Sequence, residues 1–334
     1  MLACVLSAGA AAAVDAPPPD HGRRLTDPDL DAALAVDEAT GRVLYARNAD
    51  APRHPASLTK MMTLYLLFET LRDRAVRLDT AFRVSANAAV QPRSHIRLRA
   101  GETISAEMAI QAIAVGSAND AAVTVAEALG GSEAHFAQMM TAKARQLGMA
   151  HTVFHNATGL PDDLQQTTAT DLAVLARHLI HDFPQYFGYF QMQQMTWRGE
   201  DYNTHNSLLA NYAGADGIKT GYTDASGYNL VGTAQRGGRR VIAVVMGGLT
   251  AEKRDEAMVA LLDDSFAVAP VAPAPIVAIV VPRRRALDPP VTFILVEKKP
   301  TRSQCTPIAL GAAVVDPLSP LLWPLAAIAC AVVR

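Results

Sequence analysis

Two short runs of alternating β-favouring residues flank Glu38-Ala-Thr-Gly41 in "AALAVDEATGRVLYARN", a pattern that predicts a hairpin. From Ser57 to Leu71 almost every position is apolar, and Leu58, Met61, Met62, Leu64, Leu66, Leu67 and Phe68 point in many directions if the segment is helical. Such a helix is buried on all sides. Helical apolar spacing continues through "SAEMAIQAIAVG", "NDAAVTVAEALGG", "EAHFAQMMTAKARQLG" and "TATDLAVLARHLI" to about residue 182, with Gly130-Gly131 and Gly148 as expected stops. Strand chemistry returns in "GIKTGYT", "YNLVGTAQ" and "RVIAVVMGG", with Arg236-Gly-Gly-Arg239 as the turn between the last two, and "EKRDEAMVALLDDSF" is helical again. Strands at both ends thus bracket a helical middle. The economical arrangement is an α+β fold: one mostly antiparallel sheet built from both ends, flanked by helices, with an inserted all-α subdomain.

The ends of the chain have a different texture. Leu2 to Val14 is an apolar run closed by small residues and prolines, so residues 1–16 read as a signal peptide, truncated because no basic segment precedes the run. Residues 17–27 read as a linker, 28–266 as the folded domain, and 267–334 as a Pro-rich, apolar tail of unassigned role. The tail's last apolar run is short for a membrane span and is broken by prolines, so peripheral membrane contact is the expectation there.

Composition adds exclusions. At 334 residues and 50% hydrophobic, the chain can bury a sizeable core, and a net charge of -2 leaves no basic footprint for nucleic acid. Cys4, Cys305 and Cys330 all lie near the ends and show no zinc-like spacing. An exported chain whose core lacks cysteine fits a periplasmic location, and association with the inner membrane stays open.

Lys60 interrupts the apolar helix three residues after Ser57. Positions i and i+3 share a helix face, burial favours the neutral amine, and a neutral amine beside a hydroxyl can accept its proton. Taken alone, the pair is better explained by a serine cap and a snorkelling lysine, because S-x-x-K is common by chance. Two further groups change the balance. Ser117 and Asn119 lie in "VGSAND", at a junction of helical runs where capping is their ordinary role. Lys219, Thr220 and Gly221 lie in "DGIKTGYT" on a late strand. The order S-x-x-K, S-x-N, K-T-G is that of the serine penicillin-recognising enzymes.

With "EMAIQAIAVGSANDAAV", "FHNATGLPDD", "TATDLA", "ASGYNLVGTA" and "VIAVVMGG", the chain resembles the low-molecular-weight penicillin-binding proteins, the D-alanyl-D-alanine carboxypeptidases of peptidase family S11, over roughly residues 28–266. The resemblance implies a β-lactamase/DD-peptidase-like fold and a serine carboxypeptidase acting on peptidoglycan stem peptides. β-Lactams would be covalent inhibitors, and neither cofactor nor metal would be used. It implies Ser57 as nucleophile, Lys60 as general base, Ser117 as proton relay, and Asn119 as holder of the substrate amide or of Lys60. Lys219, Thr220, Gly221, Tyr222 and Arg254 would bind substrate, with the Ser57 and Tyr222 N–H groups as oxyanion donors and Arg254 supporting carboxylate recognition.

One departure stands out. "NTHNSLL" replaces a segment that often carries an arginine in this family, so His205 or Ser207 stands beside the site, and His205 reads equally well as a surface loop residue. The pairs His151/His155 and His178/His181 have helix-like spacing, but no carboxylate constellation accompanies them and the family that the chain resembles needs no metal, so none is expected. A serine β-lactamase and an inactive wall-binding protein are the two alternatives. The first is disfavoured because "FHNATGLPDDL" occupies the region where a deacylating glutamate is expected.

Overall fold

Alternating side chains bury both faces of the central sheet. The computed structural model describes residues 31–269, so the signal, linker and tail readings, the three cysteines and the tail's apolar runs lie outside the described residues. The predicted hairpin is β1 (Ala32–Asp37) and β2 (Val43–Arg47). A 3₁₀ turn, Ala56–Thr59, leads into α1 (Lys60–Arg72). The helical region then comprises β3 (Ala81–Arg83), α2 (Ala86–Ala89), β4 (Thr103–Ser105), α3 (Ala106–Ala114), α4 (Asn119–Gly130), α5 (Glu133–Gln146) and α6 (Ala169–Asp182). A small hairpin, β5 (Gln194–Trp197) and β6 (Glu200–Asn203), and the short α7 (Leu208–Asn211) precede β7 (Ala215–Thr223), β8 (Gly227–Arg236), β9 (Arg239–Gly248) and α8 (Ala251–Ala267).

The five-stranded sheet has the order β2-β1-β9-β8-β7, and every pairing is antiparallel. N-terminal β1 pairs with C-terminal β9 from Ala32↔Met246 to Asp37↔Val241, so the sheet is built from both ends of the domain. Period-two alternation divides its side chains. Ala32, Leu34, Val36, Ile242, Val244 and Met246 join a core with α1 and the other middle helices. Ala33, Ala35, Val241, Ala243 and Val245 face Met258, Leu261 and Leu262 of α8. β7, which carries the K-T-G residues, is the free edge.

Helix α1 is the buried axis of the fold. Lys60 and Met61 through Phe68 are all within its core, and Phe68 and Tyr65 pack on Phe183 at ring-centroid distances of 5.8 and 4.8 Å. Each such apolar side chain contributes roughly 1.5–3 kcal/mol on burial. The structure differs from the sequence expectation at the helix start. α1 begins at Lys60, and Ser57 sits in the 3₁₀ turn, so Ser57 is not an α-helical cap. In 3₁₀ geometry residues i and i+3 eclipse, which draws Ser57 and Lys60 closer than an α-helical turn would.

Candidate active site

Lys60 is completely buried, and its Nζ lies 2.9 Å from Ser57 Oγ. The same nitrogen donates to the Thr158 carbonyl at 2.6 Å. One turn further along α1, Thr63 Oγ1 donates to the Ala157 carbonyl at 2.7 Å, so α1 grips the 157–158 segment at two points. That segment is shaped by Asn156, whose Oδ1 accepts from the Thr158 and Gly159 N–H groups at 3.2 and 2.7 Å. Gly159 has φ +84°, and a Cβ there would lie 1.8 Å from the Ala56 carbonyl oxygen, so only glycine lets this backbone reach the serine turn.

The turn is held from the sheet side as well. Asn229 on β8 is fully buried, and its Nδ2 donates to the carbonyls of His54 and Pro55 at 3.2 and 3.3 Å. Strand β7 comes equally near: a Cβ on Gly221 would sit 2.9 Å from the Ser57 nitrogen and 3.2 Å from Ala56 Cβ. The glycine of K-T-G is therefore a contact requirement between the edge strand and the serine turn. Ala56 at φ 49° and Ser117 at φ 55° are left-handed although neither is glycine. Such strain costs of order 1–3 kcal/mol and concentrates at functional sites.

Charge concentrates around the pair. Lys60 is held well below the ordinary lysine range, first by burial and then by the positive charge of Lys219, with Asp120 and Glu133 opposing. Lys219 is itself buried, donates to the Thr220 carbonyl at 3.0 Å, and is brought down to about 7 by burial and by Arg254. Far from an exposed edge charge, it is a second desolvated amine. Arg254, also buried, bonds Asp255 at 2.7 Å and the Asn229 carbonyl at 3.3 Å.

Ser117 is buried, and its hydroxyl has no hydrogen bond with the described residues. Asn119 does not cap α4; Ala118 occupies that position. Its Nδ2 donates to the carbonyls of Pro92 and Arg93 at 2.9 and 3.0 Å, so of the two expected partners Lys60 is not engaged, and Oδ1 is left without a donor. Thr220 lies buried on β7, while the Tyr222 ring is half exposed, stacks on Tyr228 at 4.2 Å and donates its hydroxyl to Asp224 at 2.7 Å.

His205 is exposed at the β6–α7 connection, yet burial of its surroundings and then the charges of Lys219, Arg254 and Lys60 lower its pKa. Ser207 donates to Asp255, the carboxylate that pairs with Arg254. Both residues of the departing segment therefore face the cationic cluster. Between them Asn206 is buried with neither amide atom partnered. Among the described residues no group of three or more His, Cys, Asp or Glu side chains converges; His178 and His181 pair singly with Asp182 and Glu38.

Sequence reasoning did not single out Thr158, Gly159, Asn156, Asn229 or Glu133. Glu133 lies at the start of α5, where its Oε1 accepts from the Ala157 N–H at 3.0 Å. "FHNATGLPDD" entered only as part of the family resemblance, and nothing in it showed that a backbone carbonyl would meet Lys60.

This constellation can take a proton from Ser57 to a dry amine and offer clustered cations to an anion. Comparison with known proteins places the chain in a family. The profile of the D-alanyl-D-alanine carboxypeptidase family, Peptidase S11, matches residues 22–250. D-alanyl-D-alanine carboxypeptidase DacF of Bacillus subtilis is 36% identical over 245 residues, covering 70% of this chain and 61% of its own length. The chain thus spans about three fifths of that relative. The crystal structure of D-alanyl-D-alanine carboxypeptidase DacD from Francisella tularensis superposes with a TM-score of 0.69 at 31% identity, covering 71% of this chain and 70% of that one. Penicillin-binding protein D2 from Listeria monocytogenes in its cefotaxime-bound form gives 0.65 at 35% identity, covering 70% and 96%. With the family profile matched over more than half its length, the chain belongs to the D-alanyl-D-alanine carboxypeptidase family S11.

Proposed function

We propose that the protein is a serine-type D-Ala-D-Ala carboxypeptidase that removes the terminal D-Ala from peptidoglycan stem pentapeptides through an acyl-enzyme on Ser57. The observation that carries this reading is the 2.9 Å approach of Ser57 Oγ to a fully buried Lys60 amine. Neutral Lys60 takes the Ser57 proton as Oγ attacks the penultimate D-Ala carbonyl. The N–H groups of Ser57 and Tyr222 stabilise the oxyanion across Gly221. Ser117 passes a proton to the leaving amine, and Asn119 Oδ1 accepts from the substrate amide. Lys219, supported by Arg254 and lined by Thr220, holds the terminal carboxylate. Water then releases the shortened peptide. Penicillins acylate the same serine.

Residues 28–266 form the catalytic domain in this reading, with residues 1–16 as an export signal, 17–27 as a linker and 267–334 as a tail of unassigned role. The location is the periplasm.

Mass-spectrometric detection of D-Ala release from a pentapeptide, with and without penicillin, tests the proposal. Release blocked by penicillin, with the adduct on Ser57 and activity abolished in Ser57→Ala, is the expected result. Release by the mutant would sink the nucleophile assignment. Rapid multiple turnover of penicillin would favour a β-lactamase instead, and a folded protein without either activity would favour a wall-binding role.

A further inference from the structure

The loop between α2 and β4, together with the β5–β6 hairpin, borders a solvent-open cavity of about 600 Å³ lined by His95, Arg97, Arg99, Trp197, Arg198 and Tyr202. Its loop wall is tied to the turn that carries Ser117 and Asn119. The Asn119 N–H donates to the Ser94 carbonyl at 2.6 Å, and the Asp120 carboxylate accepts from the N–H groups of Ile96 and Leu98 at 3.1 and 3.0 Å. A Cβ on Gly116, beside Ser117, would lie 3.9 Å from both Ile96 and Tyr202, two residues of the cavity lining. The cavity and the Ser117–Asn119 turn therefore share a wall.

Its charge is one-sided although the chain as a whole is slightly acidic. Three arginines face one glutamate, Glu200, in the lining. Arg97 meets Glu200 at 3.2 Å, and Arg198 pairs with Glu102 while lying over the Trp197 ring at 5.1 Å. The Arg99 guanidinium makes no hydrogen bond or ion pair among the described residues; only its backbone is engaged, with Glu102. His95 Nδ1 in the loop wall and Trp197 Nε1 in the hairpin wall are buried without partners, an uncommon state for polar atoms. Arginine's planar fork matches a carboxylate, and an unpaired one is free to bind it.

We propose that this cavity is a second substrate subsite, which takes a carboxylate-bearing segment of the peptide upstream of the residue that acylates Ser57, with Arg99 as its main ion-pairing group. This rests on the carboxypeptidase reading. Charge complementarity and the wall shared with Asn119 select the occupant: a peptide held by Asn119 continues directly onto the loop that Asn119 anchors.

The test compares two extended D-Ala-D-Ala peptides of equal length, one with a free upstream carboxylate and one with that group amidated. For the wild type, kcat/KM favours the acid over the amide. In Arg99→Ala that ratio falls several-fold, the range of an exposed, partly screened ion pair, and in Arg99→Glu it falls further. Equal ratios in all three proteins would overturn the subsite. Direct binding keeps the two readings separable: the acidic peptide lacking its terminal D-Ala is titrated calorimetrically into wild type and Arg99→Glu. Weaker binding by the variant supports the subsite even if no D-Ala is released from any peptide, and equal binding defeats it even if the carboxypeptidase activity is real.

Discussion

Lys60 Nζ donates to the Thr158 carbonyl at 2.6 Å while standing 2.9 Å from Ser57 Oγ. The first contact occupies an N–H and fixes the amine's orientation. In the neutral amine the lone pair is then available to the serine hydroxyl. Lys60→Met keeps the apolar shape but removes the base. Its kcat is expected to fall about 10²–10⁴-fold, the range for loss of a general base. A mutant retaining wild-type acylation by penicillin, followed by mass spectrometry of the adduct, would exclude Lys60 from that role.

The two buried amines give opposite limbs to the pH profile. Lys60 must be neutral to act, so activity is lost on the acid side as it protonates. Lys219 must be charged to hold a carboxylate, and its pKa of about 7 places the alkaline limb of kcat/KM near neutrality. A bound carboxylate favours charged Lys219, so the corresponding limb of kcat moves to higher pH. Lys219→Arg carries a permanent charge and is expected to flatten the alkaline limb, whatever it costs in absolute rate. Steady-state kinetics across the pH range read this directly, and an unchanged alkaline limb in the variant would assign it to another group.

The same shift governs stability. Folded Lys219 titrates near 7, below the ordinary lysine value of 10.5. Between these values the unfolded chain binds more protons, so unfolding free energy rises with pH, by up to about 1.4 kcal/mol per unit from this group. Below about 7 both states are protonated and its contribution is flat. Denaturant titrations of the wild type and Lys219→Met at several pH values should show a smaller slope in the variant across this window. Equal slopes would mean that the amine is not desolvated.

How much of this was legible in the sequence follows from what each residue does. A charge inside an apolar helix drew attention to Lys60 and Ser57, but only the S-x-N and K-T-G groups in the right order separated a site from a capped helix with a snorkelling lysine. The sheet built from both chain ends was legible because β1, β8 and β9 are short, nearly continuous apolar runs bounded by turn residues, the pattern of strands buried on both faces. Asn119 was found by its motif, but its local contacts were not legible: its amide ties down the 92–93 backbone, and the ordinary capping role falls to Ala118. Thr158 was invisible because it acts through its carbonyl, which every residue has. Asn229 reads as an ordinary strand residue in "YNLVGTA", and only the close approach of residues 54–55 gives its buried amide a task. Long-range backbone contacts leave little local pattern.

Gly221 supplies a packing prediction. Its missing Cβ lets β7 lie against the Ser57 nitrogen, where an added methyl would sit at 2.9 Å. Gly221→Ala therefore forces the edge strand away from the serine turn and separates the Ser57 and Tyr222 N–H groups. Loss of a single oxyanion donor typically costs 10²–10³ in kcat, and a loss of about that size is expected. β7 is an edge strand and can shift without unzipping the sheet, so the melting temperature should move far less than the rate. A variant that loses stability and activity together would place Gly221 in folding and not in oxyanion geometry.

His205 yields the last prediction, because its surroundings are known on each side. Burial first, and then the charges of Lys219 on β7, Arg254 on α8 and Lys60 on α1, hold its pKa below the ordinary histidine value, while the nearby Asp255 is engaged by Arg254 and Ser207. At neutral pH the imidazole is therefore uncharged, and the carboxylate site holds one cation fewer than it would with arginine at this position. His205→Arg restores that charge and should lower KM for the peptide several-fold at pH 7, an effect in the range of a partly screened ion pair. The added cation also presses on Lys219, so the alkaline limb of kcat/KM should move to lower pH in the same variant. His205→Gln, neutral at every pH, should match the wild-type KM at pH 7 and diverge from it only as the pH falls below the ordinary histidine range. If His205→Arg changes neither KM nor the alkaline limb, the imidazole stands outside the carboxylate site, and the arginine missing from "NTHNSLL" is replaced by the Arg254–Asp255–Ser207 chain alone.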